Sequence, residues 1–395
     1  MLSIFIAILI GTSLGIITGL TPGIHINLVS IIIISLLPKL TLQDPLLIVL
    51  TITSMSITHT FLDIIPSTFL GVPSEETALS ILPTHKFLLE GRGYEAVRIA
   101  TLGSLLGLIS TIAITPILIP VLKFAYDYIK TLTPYILILA TIILILKEKN
   151  KIYTILIFFL AGILGIYTLN THLINQPLFP LFTGLFGTAG LILSLKDNTQ
   201  IPKQRYTIPK INGIYKILPK GLFASTLTGF LPGLGSAQAA IIATSTSKDK
   251  DPKNYIFLIG SINTIVMIVG LITFYTINKS RNGSVIAISK LMETLTINNF
   301  IIIIASILIT GSIATFLALK ISKIFAKVIT KINYRVLCKL IISFLSILVL
   351  FISGTYGLLL LITATALGVI PPLLKVSRHH LMGSLILPII LFLLL

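Results

Sequence analysis

The sequence predicts an all-α polytopic membrane protein, and three observations carry that expectation. First, only 41 of the 395 residues are charged (29 Lys and Arg, 12 Asp and Glu), while 55% are hydrophobic and the mean hydropathy is +1.05. A water-soluble domain carries about 25% charged residues, so a chain of this length has too little charge to cover a surface in water. Second, the apolar segments have the length of membrane helices and lack the alternation of a membrane β-barrel. Third, prolines, glycines and basic residues punctuate these segments at intervals that fit short connections. With about 20 residues per span, ten to twelve spans would use roughly 200 to 240 residues. No separate soluble domain is expected, and the backbone polar groups must be satisfied inside helices.

The N-terminal stretch MLSIFIAILIG has no basic flank and no small-residue cleavage site, and so reads as a first span rather than a removed leader. The single cysteine, Cys338, excludes internal disulfides and cysteine-based metal clusters. The net charge of +17 is assigned to topology and anionic lipid headgroups rather than to nucleic acid, because the basic residues sit between apolar segments.

Loop charges set the expected orientation. The stretch from Lys196 to Lys220 holds Lys196, Lys203, Arg205, Lys210, Lys216 and Lys220 against one acid, Asp197; it reads as a cytoplasmic linker. Residues 86–98, 147–151, 248–253 and 375–380 are also basic, whereas 169–177, 294–299 and 354–357 carry no such bias and are expected outside. Spans then fall near 98–120, 133–146, 152–168 and 178–195 in the first half. In the second they fall near 300–319, 340–353, 356–371 and 381–395, with crossing directions opposite to the first set. Lys320, Lys323, Lys327, Lys331, Arg335 and Lys339 form one helical stripe, which predicts a span running into an interfacial helix on anionic lipid.

Two short motifs repeat in the same order. Gly19-Leu20-Thr21-Pro22-Gly23-Ile24 is matched by Gly229-Phe230-Leu231-Pro232-Gly233-Leu234; Tyr153, Ala161 and Leu164-Gly165-Ile166 are matched, 203 residues later, by Tyr356, Ala364 and Leu367-Gly368-Val369. The opposed charge-based orientations predict an inverted-topology repeat, the plan of many secondary transporters, with the site where the halves meet. The expected organisation is a first membrane repeat at 1–195, a basic linker at 196–220 running into the second, and a second repeat at 211–395. Both termini are expected outside.

The repeated Pro-Gly pairs are the leading candidate site. Proline removes a backbone donor and glycine admits unusual angles, so Pro22-Gly23 and Pro232-Gly233 should break their helices. Each new half-helix would then offer free N–H groups and a positive dipole end to an anion. Thr21, His25 and Asn27 accompany the first break; Gly235, Ser236 and Gln238 accompany the second. A plain Pro-Gly kink is the ordinary account of either break alone and stays an alternative for both; two at matched positions, each followed by polar residues, favour a site. The glycines Gly11, Gly15, Gly19 and Gly23, every fourth residue, predict a close-packing face for a neighbouring helix.

Ionisable groups within spans are the second source of candidates. His59 and Asp63 are four residues apart and share a helix face, as a structural pair or a proton relay. Asn263, Lys279 and Arg281 occupy the corresponding part of the second half, where the two cations, against the positive-inside trend, either hold an anion or snorkel to headgroups. Enzyme signals are poor: Gly11-Thr12-Ser13-Leu14-Gly15 lacks the strand-turn-helix context of a nucleophile elbow, and there is no dinucleotide fingerprint or zinc-protease motif. No catalytic residue, metal ligand or cofactor is expected.

Gly19 to Asn27, Ser67 to Pro73, Glu90 to Ala96, Gly103-Ser104, Gly229 to Gln238 and His380 to Gly383 together resemble the TctA-type permeases, the large membrane subunit of tripartite tricarboxylate transporters, and especially their shorter archaeal branch. The resemblance implies a permease that moves carboxylates inward on an ion gradient, by symport. It also implies a small membrane subunit and an extracytoplasmic binding protein as partners. This sequence has His25 where the bacterial motif tends to continue with glycine. The function expected is alternating-access transport of a di- or tricarboxylate, with anionic lipids as surroundings and a homo-oligomer as one assembly. Na⁺ would suit carbonyls at the breaks and H⁺ would suit His25, His59 and Asp63. A carrier of polyprenyl phosphate or another anionic lipid is the alternative, and a non-transporting scaffold the third reading.

Overall fold

Asp-Pro begins both of the helices at the centre of the protein. Asp44 caps one by accepting the Leu46 N–H, and Asp251 caps the other by accepting the Lys253 N–H, each followed by proline at the first helical position. Aspartate satisfies an orphan donor there and proline has none to lose. The computed structural model describes residues 2–21, 44–72, 79, 81–196, 201–207, 213–229, 235–245, 251–280, 282–331 and 333–395.

Among them the helices are α1 (Leu2–Leu20), α2 (Pro45–Leu62), α3 (Ile64–Phe69), α4 (Ile81–Leu89), α5 (Gly93–Lys147), α6 (Lys151–Asn170), α7 (Leu178–Phe182), α8 (Ala189–Lys196), α9 (Ile214–Gly229), α10 (Ser236–Ser245), α11 (Pro252–Ile277), α12 (Gly283–Leu291), α13 (Ile297–Ile329), α14 (Tyr334–Leu373) and α15 (Gly383–Leu394). A π-helical turn, Thr183–Thr188, joins α7 to α8, and a 3₁₀ turn, Arg378–Met382, precedes α15. The described residues contain no strand. Among the described residues seven helical stretches are long and apolar enough to cross a membrane, with shorter apolar helices at 131–147, 178–193 and 378–394. The protein is an all-α, multi-pass membrane protein.

Burial sorts the spans. α11 is enclosed along its whole apolar length and α2–α3 along most of theirs, whereas α1, α6, α13 and α14 leave well over half of theirs uncovered. The uncovered side chains are those lipid would accept, among them Phe124, Ile152, Phe316, Phe351 and Phe392. An apolar helix with no polar face belongs inside other helices, and one with a single packed stripe belongs at the lipid boundary.

The glycine stripe of α1 packs on α2. A Cβ at Gly15 would lie 2.7 Å from the Met55 carbonyl oxygen, and one at Gly19 would lie 2.8 Å from Leu62 Cβ. Gly11 meets Ser54, so the contacts advance together and α1 and α2 run parallel. In the second half Gly221 meets Ser261 and Gly229 meets Val269, so α9 lies parallel on α11 in the same way. α5 also runs parallel to α11, since Gly103 faces Phe257 and Gly107 faces Ser261. The central pair instead crosses antiparallel. Thr60 meets Thr264 while Asp63, further along α2, meets Asn263, which lies earlier on α11. The start of α11 reaches past the end of α2, with Tyr255 Oη donating to the Leu79 carbonyl; the middle of α2 meets the start of α12 through Ser56 and Ser284.

Two long helical stretches reverse. Val349 lies against Gly357, although eight residues of straight helix span about 12 Å; the chain turns at Gly354, whose φ of +73° favours a residue without Cβ. That turn falls in the predicted 354–357 connection. α5 would be about 80 Å long if straight, yet both of its ends meet the segment entering α11. Near one end Glu95 pairs with Lys253, and at the other Lys147 donates to the Ser245 carbonyl. Five residues lie between Ser245 and Asp251, a distance of at most about 20 Å, so α5 doubles back between Tyr126 and Thr131, close to the predicted division. The basic stripe at 320–339 is not one helix: α13 ends at Ile329 and Asn333 caps α14 by accepting from Arg335 N–H. Local capping overrides the four-residue charge period.

Candidate functional site

The crossing of α2 and α11 buries a polar chain inside the most apolar part of the fold. Ser236 Oγ donates to Asn263 Oδ1 at 3.3 Å, and Asn263 Nδ2 donates to Asp63 Oδ2 at 2.7 Å. Beside it Thr60 and Thr264 share a hydroxyl hydrogen bond of 3.2 Å. Asp63 and Asn263 are each only 5% exposed, although burying an ionised carboxylate is costly unless it is paired and hydrogen-bonded.

Asp63 stands where α2 gives way to α3. Its own N–H completes α2 by donating to the His59 carbonyl, but Pro66, four residues beyond Leu62, has no N–H to give the Leu62 carbonyl. The helix therefore loosens at this carboxylate, and Ser67 Oγ donates to the Asp63 carbonyl. His59, one turn earlier and buried, lies against Gly19 of α1. Thr21 donates its N–H to the Ile17 carbonyl and ends α1.

On the other side Ser236 opens α10, and Gln238 acts as the third residue of a capping box: its Oε1 accepts the Gly235 N–H at 2.9 Å. The reciprocal arm of that motif is missing, because Gly235 has no side chain to accept the Gln238 N–H. Gln238 Nε2 is fully buried and has no hydrogen-bond partner among the described residues. Four of the sequence-predicted residues, Asp63, Asn263, Ser236 and Gln238, thus come together around the start of α10, with Gly235 alongside; His59 lies one turn away on α2, against α1.

Pro22, Gly23, His25, Asn27, Pro232, Gly233 and Arg281 lie outside the described residues. The chain that leads into each Pro-Gly pair nevertheless starts from this crossing, since Gly19 packs on α2 beside His59 and Gly229 packs on α11 beside Val266 and Val269. Lys279 is placed elsewhere. It lies past the end of α11, about 24 Å along the helix direction from Asn263, with Nζ 4.2 Å from the Tyr126 ring centroid.

Two features were not singled out in the sequence. Thr264 follows Asn263 in the middle of a 26-residue apolar helix, and that polar pair was the available signal. The linker is no loose connection where it is described: Gln204 Oε1 accepts the Gly93 N–H and its Nε2 donates to the Leu88 carbonyl, while Thr207 and Arg92 both bind the Glu95 carboxylate. Gly91 makes room for it, with φ +78° and the Lys203 carbonyl 3.0 Å from where a Cβ would stand. That is a physical role for the Glu90 to Ala96 stretch.

Residues 5–383 match the tripartite tricarboxylate transporter TctA family. The chain belongs to the TctA family. Among its relatives an uncharacterised protein of Methanocaldococcus jannaschii is 36% identical over 399 residues, covering 98% of each chain. No solved structure matches. TctA proteins are transporters rather than enzymes, and form the large subunit of a system that works with a small membrane subunit and a periplasmic binding protein. In this TctA chain the polar chain from Ser236 to Asp63 is buried where α2, α10 and α11 meet.

Proposed function

We propose that the protein moves a di- or tricarboxylate across the cytoplasmic membrane by alternating access, and that Asp63 couples this to a cation gradient. The observation that carries the reading is the hydrogen-bonded line Ser236–Asn263–Asp63, which joins the start of α10 to a buried carboxylate on the opposite half. The α10 N-terminus, with Ser236 and the free arm of Gln238, offers donors to an anion. A carboxylate nearby repels that anion unless it is neutralised, by a proton or by Na⁺. Loading the cation therefore favours loading the anion, which is the reciprocity that symport requires. Pro22, Gly23, His25 and Asn27 would complete the site from the first half, with Thr21, Pro232 and Gly233 shaping the breaks.

The same reading includes an inverted repeat. Its support is reciprocity of contacts: Gly383 faces the Phe158 carbonyl while Gly184 faces that of Leu361, and Gly165 faces the Ser384 carbonyl while Gly368 faces that of Leu185. Leu361 and Gly368 are each 203 residues beyond Phe158 and Gly165. The matched pairs α1–α2 and α9–α11, with α2 and α11 antiparallel, fit an axis in the membrane plane. A small membrane subunit and an extracytoplasmic binding protein are the partners proposed, and the exposed lysines of α13 would meet anionic lipid.

Uptake of labelled citrate and succinate into proteoliposomes, under imposed Na⁺ or pH gradients, tests the proposal. Wild type should accumulate at least one of them with one gradient and not without it. Asp63→Asn should abolish accumulation while leaving exchange of internal for external substrate. Accumulation by the variant equal to that of wild type would remove Asp63 from coupling. Binding of a lipid phosphate with no carboxylate uptake would replace the substrate class.

A further inference from the structure

We propose that Glu148, His379 and His380 bind a divalent transition-metal ion of the zinc class, clamping the α5–α6 connection to the turn that begins α15. One ligand atom from each residue lies within 4.8 Å of the other two. Glu148 Oε1 is 3.3 Å from His380 Nε2, and the two imidazole centroids are 4.1 Å apart. Adjacent residues of a 3₁₀ turn point about 120° apart, so a backbone alone does not aim both rings at one carboxylate.

Two features fit a ligand rather than an ordinary ion pair. His379 Nε2 is buried and has no hydrogen-bond partner among the described residues, an arrangement that is costly without a ligand. Glu148 already satisfies His380, so the pair does not account for His379. Two imidazole nitrogens and one carboxylate oxygen are a zinc-type set that leaves a fourth position open.

In a tetrahedral site with bonds near 2.0–2.1 Å, donors stand about 3.3 Å apart; Glu148 and His380 are already there, and His379 needs a small side-chain rotation. The neighbouring cations limit affinity without blocking the site. Lys147 Nζ is held by the Ser245 carbonyl at 2.7 Å, and Arg378 is buried beside Gly190. The metal would bridge two connections that Asn150 Nδ2 already ties, at 3.3 Å, to the Leu374 carbonyl, and so would stiffen the face where the basic connections gather.

The test uses the full chain in detergent, purified without a histidine tag, stripped with chelator and titrated with Zn²⁺ or Co²⁺. Expected are one equivalent of Zn²⁺ retained by equilibrium dialysis, a tetrahedral Co²⁺ visible spectrum, and a higher melting temperature with Zn²⁺. His379→Asn, His380→Asn and Glu148→Gln should each weaken binding by more than roughly 10-fold, the loss that changes beyond the ligands themselves produce, whereas the exposed His172→Asn should not. Less than stoichiometric retention, an octahedral Co²⁺ spectrum, or unchanged affinity in both histidine variants would overturn the site. Should a variant fail to fold, retention and spectrum on wild type decide it. Neither readout depends on transport.

Discussion

Asp63 is legible in the sequence as an acid inside an apolar run, but its meaning comes from what crosses it. The pairing with Asn263 and the approach of Ser236 place it at the meeting of the two halves, which explains why its replacement by Asn should uncouple transport rather than unfold the protein: the amide keeps the size and can still accept from Asn263. His85 lies in α4, a nine-residue helix too short to cross a membrane. Burial lowers its pKa, against the Thr68 carbonyl that Nδ1 contacts at 3.1 Å. The unfolded imidazole therefore binds a proton more readily than the folded one. His85 contributes stability that is complete above about pH 6.5 and is lost as pH falls below it. His85→Asn, which keeps a donor for Thr68, should flatten the acid side of the melting temperature against pH; an unchanged profile would show that other groups set it.

At the scale of the element, small residues decide which helices touch. Gly15 lets α1 approach to where a side chain would meet the Met55 carbonyl and Thr58. Gly15→Leu should separate the pair and destabilise the protein by about 1–3 kcal/mol, the usual range for overpacking, seen as a lower melting temperature in detergent, while Ile17→Leu on the lipid-facing side should change little. The stripe was readable as a packing face from its spacing alone. Its partner was not, because a four-residue glycine period states that something packs closely without naming it. The sequence also read 320–339 as one helical stripe, which the break after Ile329 divides, since charge period does not register the Asn333 cap, whereas Gly354 was marked correctly by an uncharged, glycine-bearing gap.

For the whole molecule, the basic connections that the charge pattern assigned to one side are in mutual contact. Residues 88–95 meet 204–207 and Lys253; Glu148 meets His380; Asn150 meets Leu374; Lys323 lies over Tyr94. Their gathering supports the proposed orientation. Cys338 is the single cysteine and is buried, so a Cys338→Ser background allows scanning. Cysteines at His172 and Tyr356 should react with an impermeant maleimide from outside intact cells, and those at Lys151 and Lys375 only after permeabilisation. Labelling of all four from one side would overturn the inverted arrangement.

The sequence by itself determined the solvent, the secondary structure and much of the span pattern, because hydropathy and loop charge are local sums that lipid reads directly. It also marked Asp63, Asn263, Ser236 and Gln238 as unusual for an apolar chain. Only the tertiary structure decided that these four meet, that His59 faces α1, that Lys279 serves Tyr126, and that Glu148 reaches the histidine pair 231 residues away. The physical reason is that a polar group in a membrane must find a partner, and its choice depends on which helices cross at that depth. Crossing is fixed by packing over distant residues, which no local pattern contains.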